Sequence, residues 1–360
     1  MSLRAILFAC VLTAGPAAPL AAAPPAAVTD EVRALARAHG FDGAILIGEA
    51  DGSESHFAAG AKPVPADAVW RWASITKQLA AVIAMQEVAR GRLDLDAPVS
   101  RYWPDWKAPN AARIRIRDLL RHNSGLPQPD ESPPDKDGVP GFYRADAAAP
   151  TVSAAGFCAG PPKASPPAKF DYNNCDSIVL AEVLRRITGK DFETLVRDRL
   201  ARPLGMKSVG LFAFGVPARA HVQPNGEYKD VDGLLNLGVY GASGGAYGTI
   251  GDLWRFDRAL LAGKLIPASQ REAMWQAERS NGYYGFFQWV YPSDLKGCGK
   301  PVRIVERQGL VGGIELRNYL LPETGQGLIL FSRHRPTDLG DPWEGKGFAY
   351  DLLSTMACRK

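Results

Sequence analysis

Apolar positions along the chain fall into a few clear periods. Asp30 to Ala38 has the spacing of a short amphipathic helix. Ala44-Ile45-Leu46-Ile47 and His56-Phe57-Ala58, parted by Asp51-Gly52, predict two strands joined by a turn. Val69 to Ala73 then leads into a predicted helix over Ser74 to Arg90, where Leu79, Ala80, Ala81, Val82, Ile83, Ala84 and Met85 follow one another without a break. A helix apolar on nearly every side belongs inside a core, and Gly91 closes it. Leu180, Val183, Leu184 and Ile187 give a further helix ending at Gly189, and Phe192 to Leu200 repeats the pattern and should stop before Pro203. Thr249-x-x-Asp252 reads as a capping-box-like start, with Asp in place of Glu, for a helix through Leu261. Phe286 to Tyr291, Arg303 to Arg307, Ile314 to Leu321 and Leu328 to Ser332 predict strands, and Lys346 to Met356 a last helix.

Strands, then helices, then strands and a helix suggest an α+β sheet domain interrupted by a helical region. The sheet domain is expected from residues 28–90 and 240–360, with 91–239 mainly helical. Within that insertion, 127–168 holds ten of the 28 prolines and little periodicity. So long a loop is usually functional or disordered. A length of 360 residues fits two units or one large domain with an insertion.

The N-terminus has a different purpose. Arg4 precedes a short apolar stretch, Ala5 to Ala14, and an alanine-rich tract that includes Ala21, Ala22 and Ala23. This order predicts a secretory signal peptide over about 1–23, cut between 20 and 27, and the stretch is too short to span a bilayer. Lipid attachment at Cys10 is the lesser alternative. Removing the leader leaves Cys158, Cys175, Cys298 and Cys358, an even set in an exported, periplasmic or secreted protein, which favours disulfides over metal ligation. Cys158–Cys175 closes a short loop and is the first pairing expected, with Cys298–Cys358 following. A net charge of +4, evenly spread, argues against a nucleic-acid partner, and a mean hydropathy of -0.13 excludes a polytopic membrane protein. The histidines (His39, His56, His122, His221, His334) show no metal spacing, and neither a metal nor another cofactor is expected.

Three motifs carry candidate chemistry. Ser74-Ile75-Thr76-Lys77 opens the apolar helix, and a spacing of three puts both side chains on one face. A serine alcohol needs a base, which a desolvated lysine can supply. The helix start also offers backbone N–H groups to an oxyanion. Ser293-Asp294-Leu295-Lys296 repeats the spacing but sits in an apparent turn, and reads as a chance match. Tyr172-Asn173-Asn174 is the one Tyr-x-Asn in the chain. A phenol can relay a proton, and an asparagine amide can hold both a lysine and a substrate amide; the commoner reading of an isolated triplet is a tyrosine packed beside a helix N-cap. Gly241-Ala242-Ser243-Gly244-Gly245 matches a nucleophile elbow but lacks a helix directly after it, and reads as a glycine-rich turn.

Several stretches together resemble the serine β-lactamase-like superfamily of penicillin-binding proteins, class C β-lactamases, D-alanyl-D-alanine carboxypeptidases and family VIII esterases. They are Trp72 to Lys77, Gly91 to Asp96, Ile114 to Pro127, Phe170 to Asn174, Pro203 to Met206 and Gly244-Gly245, in an order and with separations that resemble the family's. The resemblance implies an antiparallel sheet flanked by helices and an acyl-enzyme mechanism. Ser74 would attack a carbonyl, Lys77 with Tyr172 would move the proton, and Asn174 would orient Lys77 and the substrate. A third motif on a strand edge is best matched by Arg307-Gln308-Gly309, followed by Leu310. The N–H groups of Ser74 and Leu310 would then form the oxyanion hole, and Arg307 could face a substrate carboxylate.

Gln308 is larger than the residue usual there and cannot copy a hydroxyl. This favours an esterase or D-amino-acid peptidase or carboxypeptidase over an efficient β-lactamase, acting on a small-molecule ester, amide or D-amino-acid peptide. The alternatives are a class C-like β-lactamase, a non-catalytic binding protein on the same fold, and a hydrolase built on Ser243.

Overall fold

A computed structural model describes residues 26–149, 151–214, 221–224, 233–334 and 338–358. The expected leader lies outside the described residues. Helix α1 (Ala26–Ala38) precedes β1 (Gly43–Gly48), β2 (Glu54–Ala59) and the short β3 (Trp70–Arg71). The apolar helix is α2 (Thr76–Ala89), entered through a 3-10 turn over Ala73–Ile75. Then come α3 (Val99–Tyr102), α4 (Ile116–Leu120), α5 (Asn174–Thr188), α6 (Phe192–Val196), α7 (Arg202–Leu204), β4 (Gly210–Leu211), α8 (Gly241–Gly244), β5 (Ala246–Gly248), α9 (Ile250–Leu261) and α10 (Ala268–Trp275). Strands β6 (Trp289–Ser293), β7 (Val302–Val311), β8 (Ile314–Leu321) and β9 (Gln326–Ser332) and helix α11 (Phe348–Ala357) complete the chain.

The main sheet has the order β2-β1-β9-β8-β7-β6, each neighbouring pair antiparallel. Its side chains alternate between two cores, as the period of two requires. Ala44, Leu46, Val305, Leu316, Ile329 and Phe331 face the core that contains α2 and α9. Ile45, Ile47, Ile304, Tyr319, Leu328 and Leu330 face the one that contains α1 and α11. Layers of helices on both sides of an antiparallel sheet give the expected α+β class. A second, small sheet has the order β3-β5-β4.

Helix α2 is buried from Thr76 through Glu87, so its apolar surface is enclosed on every side. A chain of buried amides runs beneath it. Gln78 donates to Gln288 Oε1 at 3.0 Å, and Asn318 donates to Gln78 Oε1 and to Asp257 Oδ1, both at 3.0 Å. These bonds tie α2 to β8 and α9. Disulfides join Cys158 to Cys175 and Cys298 to Cys358, with Cα separations of 5.4 and 5.2 Å. The first fastens the proline-rich segment to the opening turn of α5.

Three local expectations are corrected. The helical path runs through a π turn at Arg197–Ala201 and past Pro203 to Leu204. Pro203 sits in the first turn of the new segment, where its missing N–H is not needed. Strand β6 begins at Trp289, because Phe287 adopts φ 57° and the N–H groups of Phe286 and Phe287 donate to Met274 and Leu120 instead of the sheet. Strand β7 continues to Val311, so Arg307 to Leu310 lie within it. At the start of α9, Thr249 Oγ1 accepts from Asp252 N at 3.1 Å. The Asp252 carboxylate accepts from Ser208 N and Oγ.

Candidate active site

Ser74 stands in the turn before α2, directly after Ala73, whose φ of 45° is unusual for a residue with a Cβ. Lys77 is one turn further and fully buried. Its Nζ lies 3.1 Å from Ser74 Oγ, 2.6 Å from Asn174 Oδ1 and 2.7 Å from the Ser243 carbonyl. Tyr172 Oη lies 2.7 Å from Ser74 Oγ. Residues separated by about a hundred positions are thus brought to one point by α2, the mouth of α5 and the α8 turn.

The partners of Lys77 decide its chemistry. A neutral lysine amine has two N–H groups and one lone pair. The Asn174 and Ser243 oxygens can only accept, so they take both hydrogens and leave the lone pair toward the Ser74 hydroxyl. Burial drives the Lys77 pKa down to about 8, with Arg307 adding repulsion and Tyr172 and Asp130 opposing the shift. Burial alone would raise the Tyr172 phenol. The charges of Arg307 and Lys77, with the hydrogen bonds from Lys77 and Ser74, outweigh that and hold it below the ordinary value.

Asn174 has no amide hydrogen left over. Its Nδ2 donates to Tyr143 Oη at 2.7 Å and to Asp130 Oδ1 at 3.1 Å. The Asp130 carboxylate can only accept, so it fixes which end of the Asn174 amide faces Lys77. Asn174 therefore has no free N–H for a substrate carbonyl, and its Oδ1 already accepts from Lys77.

Arg307 also differs from expectation. It is 1% exposed. Its Nε donates to the Ser74 carbonyl at 2.9 Å, one terminal nitrogen donates to Tyr284 Oη at 2.8 Å, and the other donates to Tyr172 Oη. The guanidinium is held by internal partners, the Tyr172 phenol among them, although it also lines the cleft. Gln308, Gly309 and Leu310 follow on the part of β7 that has no β6 partner. Gln308 Nε2 donates to Glu306 Oε1 at 2.8 Å, and a side chain on Gly309 would meet the Trp72 carbonyl at 2.8 Å. Leu310 is 43% exposed at the mouth.

These residues line a cleft of ≈ 440 Å³, together with Asp130, Tyr240, Trp289, Glu315 and Arg317. None of these five was legible beforehand. They come from the proline-rich loop, a turn and two strands, with no motif between them. Behind Tyr172, the buried His122 ring packs at 4.6 Å between ring centroids. His122 Nδ1 accepts from Asn173 N at 3.3 Å and lies 2.7 Å from Asp176 Oδ2. Burial holds the imidazole well below its ordinary pKa, assisted by Lys77 and Arg307, and raises Asp176 well above its own.

The other sequence candidates stand elsewhere. Ser243 Oγ donates to the Tyr240 carbonyl at 2.6 Å, so this serine serves the site through its backbone oxygen. Ser293 Oγ donates to the Pro342 carbonyl and Lys296 pairs with Asp351, so the two side chains are bonded to other partners and not to each other. No cluster of metal-ligating side chains occurs among the described residues.

The chain belongs to the Beta-lactamase family, whose model matches residues 28–339. The fold is that of the serine β-lactamases and transpeptidases. Among curated relatives, the chain is 26% identical over 296 residues to the D-alanyl-D-alanine-carboxypeptidase/endopeptidase AmpH of Escherichia coli K12, covering 75% of this chain and 72% of the relative. It is 30% identical over 181 residues to Esterase EstB of Burkholderia gladioli, covering 44% and 42%. Three relatives, EstB among them, are matched over 54%, 32% and 42% of their own lengths. A D-stereospecific amidohydrolase from Streptomyces sp. superposes with a TM-score of 0.74 at 24% identity, covering 93% of this chain and 99% of that one. At that identity the likeness concerns the fold.

Proposed function

We propose that the protein is a serine hydrolase acting through an acyl-enzyme on Ser74, of the esterase or D-amino-acid peptidase type. The carrying observation is the position of Ser74 Oγ, 2.7 Å from the Tyr172 phenol and 3.1 Å from the Lys77 amine. The hydroxyl proton passes to the Lys77–Tyr172 pair as Oγ bonds to the substrate carbonyl carbon. The resulting oxyanion is held by the N–H groups of Ser74 and Leu310. Tyr172 hands a proton to the leaving group as the carbonyl–leaving-group bond breaks. Water then attacks the acyl carbon, gives its proton to the same pair, and releases the acid with Ser74 restored. Gln308 and Leu310 border the substrate, while Asn174 and Arg307 hold Lys77 and Tyr172.

Esters and amides are favoured over β-lactams because Arg307 is already committed to internal partners. Export to the periplasm or beyond is part of this reading, supported by the two disulfides and the leader-like N-terminus. The test is labelling with p-nitrophenyl acetate followed by mass measurement. One acyl group should add to the intact protein and none to Ser74→Ala. Labelling that survives the substitution removes the proposal.

A further inference from the structure

One carboxylate of the cleft lining, Asp130, is exposed. In the site as described, the amide hydrogens of Asn174 are taken by Tyr143 and Asp130. The Asp130 carboxylate lines the same cleft as Ser74. Asp130 Oδ1 accepts from Tyr143 Oη at 2.6 Å and from Asn174 Nδ2 at 3.1 Å, whereas Oδ2 receives a long 3.4 Å contact from Gln128. Asp130 is exposed into the cleft, and Tyr143 is stacked at 4.2 Å on Tyr240, another lining residue. Of the two cations of the lining, Arg317 is ion-paired, 2.9 Å from Glu315 and 3.7 Å from Glu306, and Arg307 donates to the Ser74 carbonyl, Tyr284 and Tyr172. A substrate carboxylate would have to displace an existing partner, while a substrate ammonium finds an acceptor in place.

We propose that Asp130 anchors a substrate ammonium, so that the protein selects amides, esters or peptides with a free amino group on the residue that acylates Ser74. This rests on the acyl-enzyme reading of Ser74. Three hydrogen bonds link the carboxylate to the nucleophile, through Asn174 and Lys77. An α-nitrogen lies about 2.5 Å from its own carbonyl carbon. The nitrogen of the leaving residue is part of the scissile amide and carries no charge. A free ammonium close to the reacting carbonyl therefore belongs to the acyl residue, which points to an aminopeptidase or amino-acid amidase selectivity over that of a carboxypeptidase.

The experiment compares kcat/KM for glycine p-nitroanilide and N-acetylglycine p-nitroanilide at pH 7, where an amino group of pKa about 8 is protonated. Glycine avoids any dependence on handedness. The free-amine substrate should be preferred about tenfold or more. Asp130→Asn should bring that ratio near one, and Asp130→Glu should restore most of it. Because Asp130 also orients Asn174, both rates fall in the Asn variant, and the ratio isolates the charge. Equal rates in the unaltered protein, a preference that persists in Asp130→Asn, or turnover of neither anilide while p-nitrophenyl acetate still labels Ser74 would each overturn the proposal. Absence of Ser74 labelling fails the underlying reading instead.

Discussion

Arg307 donates to the phenol oxygen of Tyr172 from the neighbouring sheet strand, with the guanidinium carbon 5.1 Å from the centre of the tyrosine ring. The same guanidinium holds the Ser74 carbonyl, so one planar fork fixes both the backbone of the proposed nucleophile and the proposed proton carrier. Lysine cannot reproduce this geometry, since its ammonium is a single point of charge. Arg307→Lys should lower kcat/KM for p-nitrophenyl acetate by about 10²-fold, the lower end of what a positioned acid–base group contributes. The pH at which activity rises should move upward, because Tyr172 loses the close guanidinium contact that lowers its pKa. An unchanged rate and pH profile would contradict the role.

Lys77 supplies a second pH signature. Its folded pKa is drawn down to about 8, and the amine is needed with its lone pair free. Acylation should therefore rise with pH through an apparent pKa near 8, a value that belongs to the coupled Lys77–Tyr172 pair. Stopped-flow acylation between pH 6 and 9.5 reads this directly. Lys77→Arg, which stays protonated throughout, should lose about 10³-fold and show no such limb. A flat profile in the unaltered protein would rule out the lysine as base.

Gly309 sets the distance between the sheet edge and the nucleophile turn. A Cβ there would lie 2.8 Å from the Trp72 carbonyl and 3.3 Å from Ala73 Cβ. The strained Ala73 and Ser74 follow directly in the chain. Gly309→Ala should push β7 away from that turn, cut acylation at least tenfold and lower the melting temperature by a few degrees, within the range of overpacking costs of about 1–3 kcal/mol. Wild-type kinetics in the variant would mean that the approach is not needed.

Asp257 gives the stability prediction. Burial raises its pKa to about 8, while Asn318 Nδ2 donates to it. Between its ordinary value of 3.8 and about 8, the folded protein keeps a proton that the unfolded chain has released. Stability from this group therefore falls as pH rises across that window, by at most about 1.4 kcal/mol per pH unit. Asp257→Asn removes the titration. Its melting temperature relative to the parent should climb steadily from pH 5 to pH 8. A constant difference across that range would mean the carboxyl titrates alike in both states.

Local pattern was enough for the elements that obey a simple period. The unbroken apolar runs of α2 and β1 and the caps of α5 and α9 report burial and backbone geometry through near neighbours. Ser74 and Lys77 were legible for the same reason, because one helical turn brings them together. Tyr172 and Asn174 stood out as a motif. Their meeting with Ser74 depends on how α5 packs on α2.

The remainder was decided by tertiary structure. Nothing in the residues around Arg307 says whether its guanidinium turns toward solvent or toward Tyr172. That choice is made by Tyr284, Phe287 and Ser74, whose oxygens arrive from other elements. Asp130 lies in the proline-rich stretch, where no period operates, and acquires its role from Tyr143 and Asn174. The sequence alone determined the candidate nucleophile, its amine and the layers that bury them, because those follow from short-range spacing. Which polar groups are used up and which stay open to a substrate was settled by long-range packing, since a hydrogen bond needs its partner within about 3 Å whatever the separation along the chain.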